Sequence, residues 1–389
     1  MKKVVVVGGR LQGLETLYLA AKAQIYTTLV DKDPAPIGQN FCNRFIHQDV
    51  IQYDRDLLTL LKEADFVIPA LENDKALQVL VDLQRSQGIN LIHSPEAYAI
   101  SSSKLRSDVV MASHNIPVPC HYPQGKLPYI AKPSSLSGSE GVIKLTDESQ
   151  LRNFLSTHSD DAWVVEEYLD GPSYSIEVIG YPGNYRAYHI TELFMDSSYD
   201  CKRVLSCPDL SPALRRQFCE LALSLGEMVG LYGIMDVEVI EQNGILKVLE
   251  IDVRHPSQTP INIYHATGQN FMAELHRIFC PQSDFTAPPL EPAAAYVSLE
   301  QVEVGGGYIR ILGEHILSQA KGLRLIENFC GSVEALTNYE PGKETWVATL
   351  ICKSGTRQGL SRQRETMFKK IGELSGNNLE ILDLDPMTN

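Results

Sequence analysis

The stretch that decides the fold runs from Ile234 to Pro260 and reads IMDVEVIEQNGILKVLEIDVRHPSQTP. Two runs rich in Val, Ile and Leu flank an Asn-Gly pair, which is the strongest short-range signal for a β-hairpin. Because side chains alternate between the two faces of a strand, two sets of charged residues each share one face of their own strand. They are Asp236 and Glu238 on the first strand and Glu250, Asp252 and Arg254 on the second.

The register of the hairpin decides whether the acidic side chains meet. A two-residue turn at Asn243-Gly244 would pair residue 238 with residue 249 and send Glu250 to the opposite face. A three-residue loop, Gln242-Asn243-Gly244, with Gly244 left-handed in a bulge, would instead set Glu250 opposite Asp236 and diagonal to Glu238. We expect the three-residue loop.

Carboxylates gathered on one face are typical of a cation site. In contact they repel by roughly 3 to 4 kcal/mol per pair at an effective dielectric near 20, so an empty cluster should shift its pKa values or splay apart. Oxygen-only ligands beside an arginine suit Mg²⁺ bridging phosphate oxygens better than zinc, which favours His or Cys. We therefore expect Asp236, Glu238, Glu250 and Asp252 to bind one or two Mg²⁺ ions. The alternative is a surface hairpin with solvated acids.

Length and composition limit the function classes. At 389 residues the chain exceeds what one core normally holds, so two or three packed domains are expected. Hydrophobic residues make up 44% and charged residues 21%, as in an ordinary globular protein. A net charge of −14 argues against a nucleic-acid partner, because phosphate contacts need a basic stripe. Any polyanionic ligand must therefore meet a local cluster of lysines, arginines and metal.

The cysteines and the apolar runs indicate a cellular compartment. The eight cysteines include no Cys-x-x-Cys pair, so reduced cytosolic thiols are expected. The apolar run Val4 to Val7 ends in Gly-Gly and is too short for a signal peptide or a membrane span. No later run approaches about twenty apolar residues. We expect a cytoplasmic protein without a membrane partner.

The N-terminal region reads as an α/β nucleotide fold. Strands are predicted at Val4 to Val7, Thr27 to Val30, Phe66 to Pro69 and Asn90 to His93. The glycines of Gly8-Gly9-Arg10-Leu11-Gln12-Gly13 depart from the G-x-G-x-x-G pattern, so a nicotinamide site, a plain strand-to-helix turn and a cleft-lining loop all stay open. Ligands of such sheets lie beyond the carboxyl ends of the strands, which places Gln12 and Glu72 near a small molecule.

The middle of the chain carries groups suited to phosphates. A helix from about Pro95 to Ser113 carries Lys104. The strand Tyr129 to Lys132 leads into a Ser/Gly loop, whose backbone N–H groups and hydroxyls can wrap phosphates while Lys132 supplies charge. The alternative for this loop is a flexible surface segment. Further elements are predicted as strands at Trp163 to Leu169 and Ser173 to Ile179, a helix at Ser211 to Val229, a Pro-rich bend at Thr286 to Pro292, and a helix at Arg362 to Leu374.

These segments resemble, in their order and spacing, the ATP-grasp ligases. The resemblance covers most of residues 1–280. It implies an α/β ATP-grasp fold with an N-terminal Rossmann-like parallel-sheet domain and a C-terminal α+β lobe. We expect domains at residues 1–93, 94–180 and 181–389, the last with a β-rich extension. In that family ATP lies between two lobes with Mg²⁺, a carboxylate is phosphorylated to an acylphosphate, and an amine attacks it.

Five strings are similar to one ATP-grasp family, the ligases of pyrrolysine biosynthesis, which join 3-methyl-D-ornithine to the side-chain amine of L-lysine. The strings are Gly-Gly-x-Leu-Gln-Gly at 8–13, Val-Asp-Lys-Asp-Pro at 30–34, Tyr-Asp-Cys at 199–201, Gly-Ile-Met-Asp-Val-Glu at 233–238 and Glu-Ile-Asp-x-Arg-x-Pro-Ser-Gln-Thr-Pro at 250–260. The implied partners are L-lysine and 3-methyl-D-ornithine or D-ornithine. A D-alanine-ligase-like or carboxylase-like enzyme and a non-catalytic nucleotide-binding regulator remain as alternatives.

The resemblance implies two sets of binding residues. The nucleotide set comprises Arg10, Asp31, Asp49, Val50, Lys104, Lys132, Ser137, Gly138, Ser139, Glu166, Glu167, Tyr168 and Leu169. The substrate set comprises Leu11, Gln12, Glu72, Ser175, Ile176, Glu177, Asp200, Pro256, Ser257, Gln258 and Thr259. Charge on a transferring phosphoryl group is best met by fixed cations, so Lys132 and Arg254 are catalytic candidates. Asp200 is the candidate to take the proton of the amine.

Overall fold

The computed structural model of the protein describes residues 2–136, 138–158, 162–286, 295–376 and 379–385. The strands, in chain order, are β1 Lys3–Val7, β2 Tyr26–Asp31, β3 Arg44–His47, β4 Phe66–Pro69, β5 Tyr129–Pro133, β6 Ile143–Leu145, β7 Trp163–Glu167, β8 Ser173–Tyr181, β9 Asn184–Met195, β10 Cys201–Ser206, β11 Gly233–Gln242, β12 Ile245–Asp252, β13 Tyr296–Gly305, β14 Tyr308–Ile311, β15 Arg324–Glu327, β16 Glu334–Thr337, β17 Trp346–Ser354 and β18 Glu380–Asp383.

The α-helices lie between these strands. They are α1 Leu11–Lys22, α2 Arg55–Glu63, α3 Asp74–Gln87, α4 Pro95–Ser101, α5 Lys104–Ser113, α6 Glu148–Thr157, α7 Pro212–Val229, α8 Thr259–Thr267, α9 Phe271–Phe279, α10 His315–Ser318 and α11 Arg357–Leu374. Among the described residues, none of these helices is both long and apolar enough to cross a membrane.

The first four strands form a parallel sheet in the order β3-β2-β1-β4. The central strand β1 is a run of buried valines, as expected for a strand covered on both faces. The turn into α1 needs glycine twice. Gly8 has φ +102°, and a Cβ on Gly13 would overlap the carbonyl oxygen of Gly8. The strand-to-helix turn is therefore confirmed, and it holds residues 10–12 at the carboxyl edge of the sheet.

Three predictions for the first third of the chain were wrong in detail. The segment 90–93 is not a strand, since Leu91 forms only an isolated bridge with Val67. The strand β3 was missed, because it is a short, partly exposed edge strand without a long apolar run. The predicted helix 95–113 is two helices, and the side chain of Ser103 accepts a hydrogen bond from the N–H of Arg106 and so caps α5. Lys104 is consequently the first residue of α5.

Two further sheets follow, in which all strand pairs are antiparallel except β14 with β18. A small sheet has the order β6-β5-β7. A large sheet of eleven strands runs β12-β11-β8-β9-β10-β13-β17-β16-β15, and β14 joins it between β13 and β18. The small sheet faces the β11–β12 end of the large one across a cleft. The α/β ATP-grasp-like arrangement that the sequence implied is thus present, with a parallel N-terminal sheet and a mixed lobe of strands and helices.

The hydrophobic core follows the sheets. The largest cluster joins α1 and the N-terminal sheet to α8, α9 and the large sheet. A second cluster packs α7 against β8 and β11, and a third packs α11 against β13 and β17. The predicted helix from Arg362 is confirmed but begins earlier, at Arg357. Most of the predicted Pro-rich bend, residues 287–292, lies outside the described residues.

Candidate active site

The hairpin β11–β12 brings four acidic side chains together on one face. Asp236 lies opposite Asp252, and Glu238 lies opposite Glu250. The three-residue loop predicted from the sequence is wrong, because Gln242 pairs with Ile245 and leaves a two-residue Asn-Gly turn. The expected Glu250–Asp236 pairing is also wrong, because a β-bulge further along the hairpin pairs Glu250 with Glu238.

A β-bulge, not the turn, sets the register of the acids. Val239 pairs with Val248 and Glu238 pairs with Glu250, so Leu249 is the extra residue on β12. Without that residue Glu250 would point to the opposite face of the sheet. The carbonyl oxygen of Leu249 accepts a hydrogen bond from Lys132 Nζ at 3.3 Å. The bulge thus aligns the acids and also provides an acceptor for the neighbouring lysine.

Three basic side chains surround the acids. Lys104 Nζ lies 2.8 Å from Glu250 Oε2. Lys132, on β5, reaches Glu166 Oε1 on β7 at 2.7 Å. Arg254, just after β12, donates to Asp252 Oδ2 at 2.7 Å and lies 2.6 Å from Glu72 Oε1 through Nε. The site therefore pairs acids and bases from five different parts of the chain.

Burial and mutual repulsion perturb these acids. Burial, then the charges of Glu250 and Asp252, raises the pKa of Glu238 to about 8. Burial likewise holds the pKa values of Asp236 and Asp252 well above their usual range, although Arg254 opposes it. Burial acts in the same direction on Glu250, but the Lys104 ammonium outweighs it and lowers the pKa of that carboxyl. The cluster holds more acid than its neighbouring cations neutralise.

This arrangement fits a divalent cation bound with phosphate. The buried Oδ1 of Asp236 has no hydrogen-bond partner among the described residues. All four candidate donors are carboxyl oxygens, which suit Mg²⁺, and no His or Cys stands among them. Added positive charge would relieve the repulsion that raises the pKa of Glu238.

A cleft of about 520 Å³ lies between the small and the large sheets. Its wall contains the four acids, Arg254, and most of the predicted nucleotide residues. These are Lys104, Lys132, Gly138, Ser139, Glu166, Glu167, Tyr168 and Leu169. The predicted substrate residues Ser175, Asp200, Pro256, Ser257, Gln258 and Thr259 line the same cleft. Ser137 lies outside the described residues.

A larger cavity of about 1420 Å³ opens at the carboxyl edge of the N-terminal sheet. The other four predicted nucleotide residues, Arg10, Asp31, Asp49 and Val50, line this cavity and not the cleft. Leu11, Gln12 and Glu72 share it with them. The structure thus separates the predicted nucleotide set into two groups on two cavities.

The two cavities meet at Arg254. Asp200, Ser257 and Ser139 line both of them as well. A chain of contacts runs along this junction, from Gln12 Nε2 to Glu72 Oε1 at 2.8 Å and on through Arg254 to Asp252. The larger cavity and the acidic cluster are therefore linked through the Arg254 side chain.

Two members of the predicted substrate set line neither cavity. The side chain of Ile176 is fully buried in the hydrophobic cluster under α7. Glu177 is also fully buried, and it pairs across strands with Asp236. Burial raises the pKa of Glu177 to about 7. Ile176 points to the opposite face of the sheet, whereas Glu177 shares the face of Asp236.

Sequence reasoning missed Glu314, the last residue of the connection between β14 and α10, and His315, the first residue of α10. Glu314 Oε1 accepts from Ser257 Oγ at 2.9 Å, and Glu314 lines both cavities. His315 lines the larger cavity and hydrogen-bonds Asp200 through Nδ1. Neither belongs to a local motif, since their partners are roughly sixty or more positions away in sequence.

The chain is similar in sequence to known proteins. An ATP-grasp domain family model matches residues 101–257. The 3-methyl-D-ornithine–L-lysine ligase of Methanosarcina acetivorans is 36% identical over 72% of this chain and 74% of its own length. The ligase of the same name from Methanosarcina barkeri is 34% identical over 82% of this chain and 84% of its own length.

A solved structure supports the fold. The biotin carboxylase domain of 2-oxoglutarate carboxylase from Hydrogenobacter thermophilus, in complex with MgADP, ADP and bicarbonate, superposes with a TM-score of 0.71 at 15% identity. The match covers 95% of this chain and 89% of that one. That structure bears on the fold alone. The two relatives and the domain match show that the chain belongs to the ATP-grasp family of 3-methyl-D-ornithine–L-lysine ligases, and is an ATP-dependent enzyme that forms a carbon–nitrogen bond.

Proposed function

We propose that this ligase activates the carboxylate of 3-methyl-D-ornithine as an acylphosphate, which the side-chain amine of L-lysine then attacks. The product is an isopeptide, a step of pyrrolysine biosynthesis. The observation that carries the proposal is the junction of the two cavities at Arg254, beside the four acids. ATP and an amine can approach one carboxylate there from opposite sides.

The cleft is the proposed nucleotide site. Lys104 and Lys132 supply positive charge, and Gly138 and Ser139 bring backbone N–H groups and a hydroxyl. The acidic cluster would hold one or two Mg²⁺ ions, which supply charge neutralisation at the phosphate oxygens. Four other predicted nucleotide residues line only the larger cavity, so a nucleotide could contact them only from that side. Their proposed role in nucleotide binding is therefore separate from that of Lys132. They are Arg10, Asp31, Asp49 and Val50.

The chemistry explains the fixed cations. A carboxylate is a poor electrophile, so amide formation needs a leaving group, and the γ-phosphoryl group of ATP provides one. Charge spreads over that group as it is transferred. Lys132 is buried and Arg254 is partly buried, and both are already oriented by Glu166 and Asp252, so they need no reorganisation to meet this charge.

The larger cavity is the proposed amine site. Both amino-acid substrates carry ammonium groups, which favour acidic surroundings. Glu72, Asp200 and Glu314 face this cavity, and Leu11 and Gln12 form part of its wall. The acids would also disfavour neutral acceptors.

All eight cysteines are free thiols in the structure, from which we infer a reducing compartment, the cytoplasm.

A direct assay tests the proposal. Purified enzyme is incubated with ATP, Mg²⁺, L-lysine and either 3-methyl-D-ornithine or D-ornithine, and products are identified by mass spectrometry. The expected product is the ornithyl-lysine isopeptide, with one ADP formed per amide. ADP formation that needs no lysine and proceeds instead with D-alanine or bicarbonate would overturn the substrate assignment.

A further inference from the structure

His315 and Asp200 form a hydrogen-bonded pair on the wall of the larger cavity. The carboxylate Oδ2 of Asp200 accepts from His315 Nδ1 and also from the His315 backbone N–H at 3.2 Å. The His315 side chain is 61% exposed, while that of Asp200 is 9% exposed. Among the described residues the other ring nitrogen, Nε2, has no hydrogen-bond partner. The imidazole is therefore held at one nitrogen and open at the other.

The backbone is shaped to make this pair. Asp200 packs so closely on Gly313 that a Cβ at position 313 would overlap the carboxyl group. The Gly313 N–H donates in turn to Asp196 Oδ2 at 2.8 Å. The connection after β14 is thus fixed against the turn between β9 and β10, and it presents His315 to the cavity.

The pair is better suited to proton transfer than to metal binding. Asp196 lies close enough to complete a three-ligand set with Asp200 and His315. However, Asp196 Oδ1 accepts from the N–H groups of Ser198 and Asp200 at 2.7 and 3.1 Å, and Oδ2 accepts from Gly313. Its oxygens are already used by the backbone. In the neutral imidazole the hydrogen bond to Asp200 places the ring proton on Nδ1, which leaves Nε2 as a proton acceptor.

We propose that His315 is the catalytic base that takes the proton of the attacking amine, and that Asp200 is its positioning residue. This inference rests on the proposed function. The substrate ammonium loses one proton to Nε2, and the neutral amine attacks the acylphosphate carbon. As the C–N bond forms, the C–O bond to phosphate breaks and its electron pair leaves with phosphate. The second nitrogen proton leaves with the phosphate, and the imidazolium returns its proton to solvent.

The charges around the imidazole agree with this role. Asp200 stabilises the imidazolium that forms, and it also fixes the ring orientation. Glu314, the preceding residue, lines the same cavity and favours an incoming ammonium. Arg254 stands at the junction with the cleft, where the acylphosphate forms. The base is therefore on the amine side of the junction.

The test separates the two half-reactions. In His315→Gln, amide formation with lysine should fall by about a hundredfold or more, since general base catalysis contributes roughly 10² to 10⁴. Hydroxylamine is unprotonated at neutral pH and needs no base, so hydroxamate trapped from the acylphosphate should stay within about twofold of wild type. If His315→Gln lowered the amide and the hydroxamate equally, or lowered neither of them, the inference would be overturned. A wild-type enzyme that makes no amide from lysine would overturn the proposed function and this inference with it.

Three further variants guard against a structural explanation. His114→Gln, an exposed histidine at the end of α5, should leave both products unchanged. Added imidazole should restore amide formation in His315→Ala, because the exposed ring leaves a space open to the cavity. Gly313→Ala, which displaces Asp200, should lower amide formation and spare the hydroxamate. Failure of imidazole to rescue any amide formation would count against His315 as the base.

Discussion

Single residues set the charge balance of the site. Glu250 alone among the four acids has a lowered pKa, because Lys104 and Lys132 outweigh its burial. It is therefore the carboxylate that is ionised before any cation binds. Burial and mutual repulsion raise the pKa values of the other three carboxyls, and a bound cation would oppose that shift.

This contrast leads to a prediction for Glu250→Gln. The variant should lose ADP formation by at least about a hundredfold, because one permanently charged metal donor is removed. It should also lose the rise in Tm that Mg²⁺ with an ATP analogue gives the wild type. Thermal melts with and without these ligands, together with an ADP assay, provide the measurement.

A matched control lies on the same hairpin. Glu241→Gln removes one charge, keeps an acceptor for the Gly244 N–H and lies outside the acidic cluster. It should behave like wild type in both assays. Normal turnover of Glu250→Gln would remove Glu250 from the site.

At the scale of elements, the sequence predicted the hairpin but not its register. The apolar runs and the Asn-Gly turn are local signals, so β11 and β12 were found. The bulge at Leu249 has no local signal, because its carbonyl is satisfied by Lys132, which is 117 positions away. Glu314 and His315 were missed for the same reason: distant strands, not neighbouring residues, bring them to the site.

The contact between α1 and α8 gives a second prediction. The side chain of Gln258 does not cap α8, and Glu15 on α1 accepts from the Ile261 N–H at 2.8 Å in its place. Burial raises the pKa of Glu15 from 4.5 to about 8. The folded protein keeps Glu15 protonated up to about pH 8, whereas the unfolded chain ionises near pH 4.5. Stability should therefore fall as pH rises through this window, by up to about 1.4 kcal/mol per unit.

Glu15→Gln removes this pH dependence while keeping an acceptor for α8. Its Tm should match that of wild type near the acid end of the window and exceed it by several degrees at the alkaline end. Melting curves across the window measure the difference. Glu148→Gln, an exposed acid at the start of α6, is the control and should show no such trend. If the Tm difference between Glu15→Gln and wild type did not change with pH, Glu15 would not have the raised pKa in the folded protein.

At the scale of the whole molecule, the last described strand completes the large sheet behind the site. Lys202 on β10 is fully buried, with a side-chain exposure of 0%. Its three acceptors all come from the end of the chain: Asp383 Oδ1 at 2.7 Å, the Leu384 carbonyl at 2.9 Å and Asp385 Oδ1 at 2.8 Å. Lys202 is two residues after Asp200, and Asp385 lines the cleft. The C-terminal strand thus supports the segment that carries Asp200.

Deleting the residues after Gly376 should consequently destabilise the protein through Lys202. The deletion removes all three described acceptors of the Lys202 ammonium, a loss of up to about 3 to 5 kcal/mol, in addition to the lost pairing of β18 with β14. Lys202→Met removes the charge and keeps the volume, so the same deletion should cost much less in that background. Chemical denaturation of the four proteins measures the coupling. An equal loss of stability in both backgrounds would mean that the strand contributes only its sheet pairing. The ion pairs of Lys202 would then not be what supports the segment that carries Asp200.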